Sequence, residues 1–293
     1  MNAIDVTTPR EANSSAEDSP PPSLTGRQRT VMRVVLVIVG SLLALGSFVS
    51  LGVLASGLGG TRVVTDTKNL PTDMRALTIV TGDVPVTVHV NTDANANEPR
   101  VDLRLVTNSD DTQLAVTQEG DASRITLHDS GSGFLWFHRT GELRVILPPD
   151  TARNLSVTVD QGAGSLSVDS SLRELVAQTD HNASLAGSAR LIDVNARGDI
   201  KTSSAIAVAD SFKAHSGSGS ISTEFRAAPR TTEATAEGDV KVQVPGPDPY
   251  RVRAESAESD SGTLVTVPQT PAQDAPAVTA RSATGNVEVT ELP

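Results

Sequence analysis

Residues 219–242 read GSISTEFRAAPRTTEATAEGDVKV, and one five-residue figure both opens and closes the stretch. Gly219-Ser220-Ile221-Ser222-Thr223 and Gly238-Asp239-Val240-Lys241-Val242 each consist of a glycine, a short turn-forming polar residue, then apolar-x-apolar or apolar-x-Thr. The figure recurs as Gly82-Asp83-Val84-Pro85-Val86, Gly164-Ser165-Leu166-Ser167-Val168 and Gly198-Asp199-Ile200-Lys201-Thr202. It returns as Gly262-Thr263-Leu264-Val265-Thr266 and Gly285-Asn286-Val287-Glu288-Val289, with a degenerate copy at Ala183-Ser184-Leu185. From residue 166 onward the leading apolar positions are Leu166, Leu185, Ile200, Ile221, Val240, Leu264 and Val287, spaced 19, 15, 21, 19, 24 and 23 residues apart.

Upstream of most copies stands a second alternating run: Leu155-Ser-Val157-Thr-Val159, Ile192-Asp-Val194-Asn-Ala196, Phe212-Lys-Ala214, Val252-Arg-Ala254 and Val278-Thr-Ala280. Alternation with period two is the mark of a half-buried strand. One repeat is therefore strand, turn, strand, turn in roughly 20 residues. A unit of that length cannot close a core alone, but stacked copies about 4.8 Å apart hydrogen-bond to their neighbours and bury a ladder of Val, Ile, Leu and Ala. In this reading glycine supplies a positive φ at the corner, and the Asp, Asn, Ser or Thr after it bonds the turn backbone. The expected fold is all-β, a single-stranded β-solenoid over residues 74–293. An ordinary β-sandwich with coincidental Gly-polar turns is the competing reading. Before residue 150 the pattern loosens, through Val101–Val106, Leu114–Thr117, Ile125–Leu127 and Leu143–Leu147, as expected of atypical first rungs that shield one end.

N-terminal to all this, Val34 to Leu58 reads VVLVIVGSLLALGSFVSLGVLASGL, with no ionisable side chain between Arg33 and Arg62. A helix of this span is about 37 Å long, enough to cross a hydrocarbon layer of about 30 Å. Arg27, Arg29 and Arg33 crowd its N-terminal flank, so the positive-inside bias puts the N-terminus in the cytoplasm and the bulk of the chain outside. The run is longer than a signal-peptide core, and no A-x-A site ends it, so a retained anchor is expected rather than a cleaved signal. Gly52 and Ser56 form a small-xxx-small pair that could bring two such helices together. The organisation expected is then a disordered tail over 1–33 carrying the run Ser19-Pro-Pro-Pro-Ser23, a transmembrane helix over 34–58, a linker over 59–73 and the repeat domain over 74–293.

Composition narrows the partners. The chain carries a net charge of -11, all of it after the apolar stretch, which argues against nucleic acid and against anionic head groups as ligands of the domain. There is no cysteine, so disulfides, thiolate nucleophiles and cysteine metal sites are excluded. The histidines, His89, His128, His138, His181 and His215, show no H-x-x-x-H spacing. Neither G-x-S-x-G nor a phosphate-binding G-x-x-x-x-G-K-[ST] occurs. The acids Asp83, Asp199 and Asp239 share one repeat position, but Ser, Thr or Asn replaces them elsewhere, so they read as turn caps and not as a calcium ladder. No catalytic residue, cofactor or metal site is expected. Phe134-Leu135-Trp136-Phe137 is the one aromatic cluster in a chain with 2% aromatics. Phe134, Trp136 and Phe137 are the candidate binding tip, against a second reading in which they plug the end of the stack.

The apolar anchor, Leu77-Thr-Ile79-x-Thr-Gly82-Asp83-Val84-x-Val86, Leu143-Arg-Val145-x-Leu147-Pro148 and the Gly-[Asp/Ser]-apolar ladder together resemble a bacterial β-strand-repeat family. That family is known as a “putative adhesin” family and otherwise as a domain of unknown function. The resemblance spans residues 74–293. It implies a right-handed β-solenoid-like fold and an envelope location, and brings no catalytic residues. The function expected is a membrane-anchored, non-catalytic module for binding, adhesion or envelope structure. Its partners are membrane lipid through the helix and an envelope glycan or protein ligand. The alternatives are an accessory sensor that passes an outer signal to the short tail and, third, a glycan-active β-helix enzyme.

Overall fold

Strand order and direction decide the architecture. A computed structural model describes residues 62–107, 112–128, 140–257 and 262–292, all within a compact unit that runs from Gly60 to Pro293. Two rows of strands face each other. The first row, in spatial order, is β5 (Gln113–Glu119), β6 (Ala122–His128), β2 (Ala76–Gly82), β8 (Ser156–Gln161), β10 (Glu174–Thr179), the second half of β11 (Ala183–Ala196), the second half of β13 (Ile206–Ser216), β15 (Thr231–Ala236), β19 (Ala277–Ser282) and β17 (Arg251–Ser256). The second is β1 (Arg62–Asn69), β4 (Arg100–Thr107), β7 (Thr140–Leu147), β3 (Val86–Thr92), β9 (Leu166–Ser171), the first half of β11, β12 (Ile200–Thr202), β14 (Ile221–Ala227), β16 (Val240–Val244), β20 (Val287–Glu291) and β18 (Thr263–Val265). The long strands β11 and β13 bend from one row into the other, β11 with a register shift between Ala189 and Leu191, and so join the layers at a corner.

The core lies between the rows and is made by alternation. In the first row Leu77, Val157, Leu175, Ile192, Phe212, Thr232 and Val278 occupy one in-register inward column. Opposite them Val88, Leu166, Ala183, Ile200, Ile221, Val240 and Val287 form another. Phe212 meets Phe225 edge to face, centroids 5.1 Å apart, and both are fully buried in the core. Each fully buried Val, Leu or Phe contributes about 1.5–3 kcal/mol. Two leading apolar positions fall elsewhere. Leu185 stands one step further along, opposite Val168 and Thr202. Leu264 pairs with Glu288 and faces out, 53% exposed, because its neighbour Thr263 aligns with Val287.

These pairings correct the expected right-handed single-stranded solenoid. Such a fold lays each coil beside the one before it, all parallel. Here β1, β4 and β7 pair antiparallel, as do β5 and β6. β2 lies between β6 and β8, β3 between β7 and β9, and β19–β20 between β15–β16 and β17–β18. The arrangement is a two-layer, sandwich-like packing whose parallel middle is closed by excursions of the chain at both ends. Residues 62–69, read from sequence as part of the linker, form β1. A six-residue helix α1 (Pro149–Asn154), which no periodicity announced, starts on a proline and buries Ala152.

The expected single-pass membrane placement is corrected as well. Among the described residues no helix is long and apolar enough to cross a membrane. The stretch 34–58 and the tail 1–33 lie outside the described residues. Nothing in the described residues carries a spanning helix, a lipid contact or a division of the chain into cytoplasmic and outer parts.

Candidate binding face

Every repeat turns from the first row to the second at one edge, and the turns stack. Asp199 N–H donates to Asn182 Oδ1 (2.8 Å), Ser220 N–H to Asp199 Oδ1 (2.9 Å), Asp239 N–H to Ser220 Oγ (3.1 Å) and Asn286 N–H to Asp239 Oδ1 (2.8 Å). The polar residues after Gly198, Gly219 and Gly238 thus bind the backbone of the adjacent turn. Inside this edge the hydroxyls of Thr179, Ser216, Ser282 and Ser256 donate to the carbonyls of Gly164, Gly198, Gly238 and Gly285. Ser216 and Ser282 also accept from the N–H of Gly219 and Gly285 in their own turns.

Of the glycines that open the recurring figure, Gly82 and Gly164 have the expected positive φ, and the others are required for a different reason. Positive φ is confined, among the described residues, to Gly82, Gly120, Gly164 and Gly187. At Gly219 a Cβ would instead lie 2.5 Å from Gly198 C in the neighbouring turn, so close stacking selects glycine there. Two of the recurrent acids, Asp199 and Asp239, accept backbone N–H groups of the adjacent turn and so act as turn caps.

The outer face of the first row carries the polar side chains that the alternation turns away from the core. Gln178, Asn195, His215 and Thr235 are aligned partners on β10, β11, β13 and β15. One pleat further from the turns, Val176, Asp193, Lys213 and Glu233 are aligned in the same way. Two hollows lie on this face. One of about 320 Å³ is lined by Gln178, Asp180, Asn195, Arg197 and Ser218 among others, and one of about 220 Å³ by Asp193, Lys213, His215, Glu233 and Thr235. Amide, imidazole, hydroxyl, ammonium and carboxylate groups therefore stand side by side at strand spacing, about 4.8 Å, on a parallel sheet.

At the opposite end of the same strands runs a chain of exposed ion pairs. Arg190 contacts Glu174 at 2.6 Å and Asp210 at 3.4 Å, and Arg230 reaches Asp210 at 3.9 Å. The hydrogen bond from Arg190, with help from Arg173 and Ser156, holds the Glu174 carboxyl below the usual carboxylate range. Arg144 does the same to Glu142, which also lies 3.6 Å from His89 Nε2, a carboxylate neighbour that sequence spacing did not show. Arg253 and Arg281 do so to Glu255. Tyr250 is pushed up to about 12, first by burial and then by the charges of Asp248 and Glu291, and its hydroxyl donates to Pro245 O. These three carboxylates are held ionised, the opposite of what a general acid requires.

The candidate tip residues Phe134, Trp136 and Phe137 lie outside the described residues. The columns around Asn195 and Lys213 were not singled out in the sequence. Their signal is the polar partner of each apolar residue in the upstream runs, which reads equally as solvated surface until the register shows that the columns align.

No protein-family model matches the chain, and no curated protein does. Among solved structures, a “putative adhesin” from Parabacteroides merdae is 12% identical over 79% of this chain and 97% of that one, with a TM-score of 0.44. A “putative cell adhesion protein” from Clostridium sporogenes is 10% identical over 79% and 100%, with a TM-score of 0.33. A “putative lipid binding protein” from Parabacteroides distasonis is 12% identical over 79% and 97%, with a TM-score of 0.37. Likenesses of this strength assign neither an activity nor a ligand to this chain.

Proposed function

We propose that the Gly60–Pro293 unit is a non-catalytic binding module that takes a polar, glycan-type chain across β10, β11, β13 and β15. The observation behind this reading is the pair of hollows on one face, lined by aligned polar columns. A repeating ligand with many hydroxyls can hydrogen-bond to successive strands at their fixed spacing. The side chains rise from a hydrogen-bonded sheet, so little backbone order is lost on binding. Shallow polar hollows suit a ligand that keeps much of its own hydration, bridged in part by water.

The test is an array of glycans probed with the full chain and with Asn195→Ala, Lys213→Ala and Trp136→Ala variants. Binding that weakens about tenfold or more on Lys213→Ala or Asn195→Ala supports the face, a loss of about 1.4 kcal/mol for each tenfold step. Binding lost on Trp136→Ala alone moves the site to the aromatic tip. Turnover of a glycan, or binding indifferent to all three changes, sinks the proposal.

A further inference from the structure

At one place the order of strands in space departs from their order in the chain in a way that builds a slot. After β16 ends at Val244 the chain forms β17 and β18, then returns through residues 266–276 and lays β19 and β20 inside them. The walls of the slot are β15 and β16 on one side and β17 and β18 on the other. Each wall is paired to the incoming segment in parallel register, Thr232 and Val252 to Val278, Ala234 and Ala254 to Ala280, and Val242 and Val265 to Val289. Val278, Ala280, Ser282, Val287 and Val289 are all buried. Ser282 Oγ donates to Gly238 O on one wall, and Gly285 O accepts from Ser256 Oγ on the other.

We infer that this slot is a strand-acceptor site, filled here by the chain's own residues 277–291 and able to take the same residues from a second copy. In the folded chain each wall pairs with the insert. With β19 and β20 out, backbone N–H and C=O groups along β15, β16, β17 and β18 lose their partners, and the inward alanines and valines lose their cover. The occupant must present Val-x-Ala-x-Ser, a glycine turn and Val-x-Val in register, and a second copy carries that pattern by identity. The connection that would have to open is largely exposed from Pro268 to Asp274 and carries Pro268, Pro271 and Pro276. Nine residues, 268–276, extend to about 30 Å, enough to reach a neighbouring slot. Contacts inside the slot are the same whether the insert comes from the same chain or another, so protein concentration during folding selects between them.

The chain has no cysteine, so an engineered pair reports which copy filled the slot. Glu233 and Thr279 are aligned partners on β15 and β19, and adjacent strands lie within disulfide reach. The full chain carrying Glu233→Cys and Thr279→Cys is unfolded, refolded at a series of concentrations, oxidised and resolved by non-reducing electrophoresis and mass. The expected result is an intrachain bridge at dilution and an interchain one at high concentration, the dimer-to-monomer ratio rising about tenfold per tenfold in monomer. Lys213→Cys with Glu233→Cys, across β13 and β15 in the continuous body, should give only intrachain bridges. Intrachain bridges alone at every concentration, or interchain bridges equal to those of the control, overturn the inference. Should the first pair not fold, Thr235→Cys with Arg281→Cys reads the same two strands.

Discussion

The two edges of the strand stack are built on different principles. At the turn edge successive chain reversals lie so close that a Cβ on Gly164 would fall 1.9 Å from Val86 O, and polar side chains bridge from turn to turn. At the other edge exposed arginines and acids alternate, Arg190 between Glu174 and Asp210 and Arg230 beyond. The first edge is steric and hydrogen-bonded, the second electrostatic and solvated. Backbone contact in a packed interior is unforgiving, whereas exposed ion pairs contribute little and yield to salt. The turn edge therefore leaves little room for change, while the charged edge tolerates it.

Substitutions can break that contrast in order of size. Gly164→Ala places a methyl group against Val86 O at a φ of +96° and should abolish folding or destabilise by more than about 4 kcal/mol, read by denaturant unfolding. Ser216→Ala removes a buried hydroxyl that serves both Gly198 O and Gly219 N–H, and an equilibrium unfolding curve should show a loss of about 1–3 kcal/mol. Asp239→Ala leaves Asn286 N–H without its acceptor at an exposed site, so about 1 kcal/mol is expected, largely restored by Asp239→Asn. Arg190→Ala should give the smallest change of the set, vanishing in about 1 M salt. A large effect of Arg190→Ala at high salt would show that the two edges do not differ as described.

Acid gives a further, still smaller, separation. The Glu174 carboxyl is lowered in the folded chain by Arg190, so its contribution is present above the unfolded value near 4.5 and lost as pH falls through the folded one. Stability of the wild-type chain should therefore fall slightly more steeply below pH 4.5 than that of Arg190→Ala, which a pH series of thermal melts would show.

The ends of the stack invite the same question of what prevents further strands from adding. At β1 the side facing Val101 and Leu103 carries Lys68 and Asp66, an ion pair 3.9 Å long, where an apolar row would invite another strand. β18 is only three residues long. Inward charge and short edge strands are two familiar means of keeping sheets from joining edge to edge.

Much of the local structure could be read from residues alone. The upstream runs around Val157, Ile192, Phe212 and Val278 alternate cleanly, and all four point inward in one column. Leu264 misled because a three-residue strand offers two phases and only the pairing of Thr263 with Val287 chooses between them. α1 escaped because six residues are too few to show a period. The polar face was hidden in plain alternation, since an outward Asn or Lys looks the same whether or not its neighbours line up.

What the amino-acid sequence determined by itself was strand content, inward and outward faces, turn positions and the absence of thiol chemistry, because these depend on neighbours along the chain. Which strand lies beside which was decided by the tertiary structure. Nearly every repeat presents the same Gly-polar-apolar figure, so local pattern cannot tell β17 from β19 as a partner for β15. Directional backbone pairing, end excursions and the fit of particular side chains chose the order, and with it converted an expected row of coils into two facing layers closed at both ends.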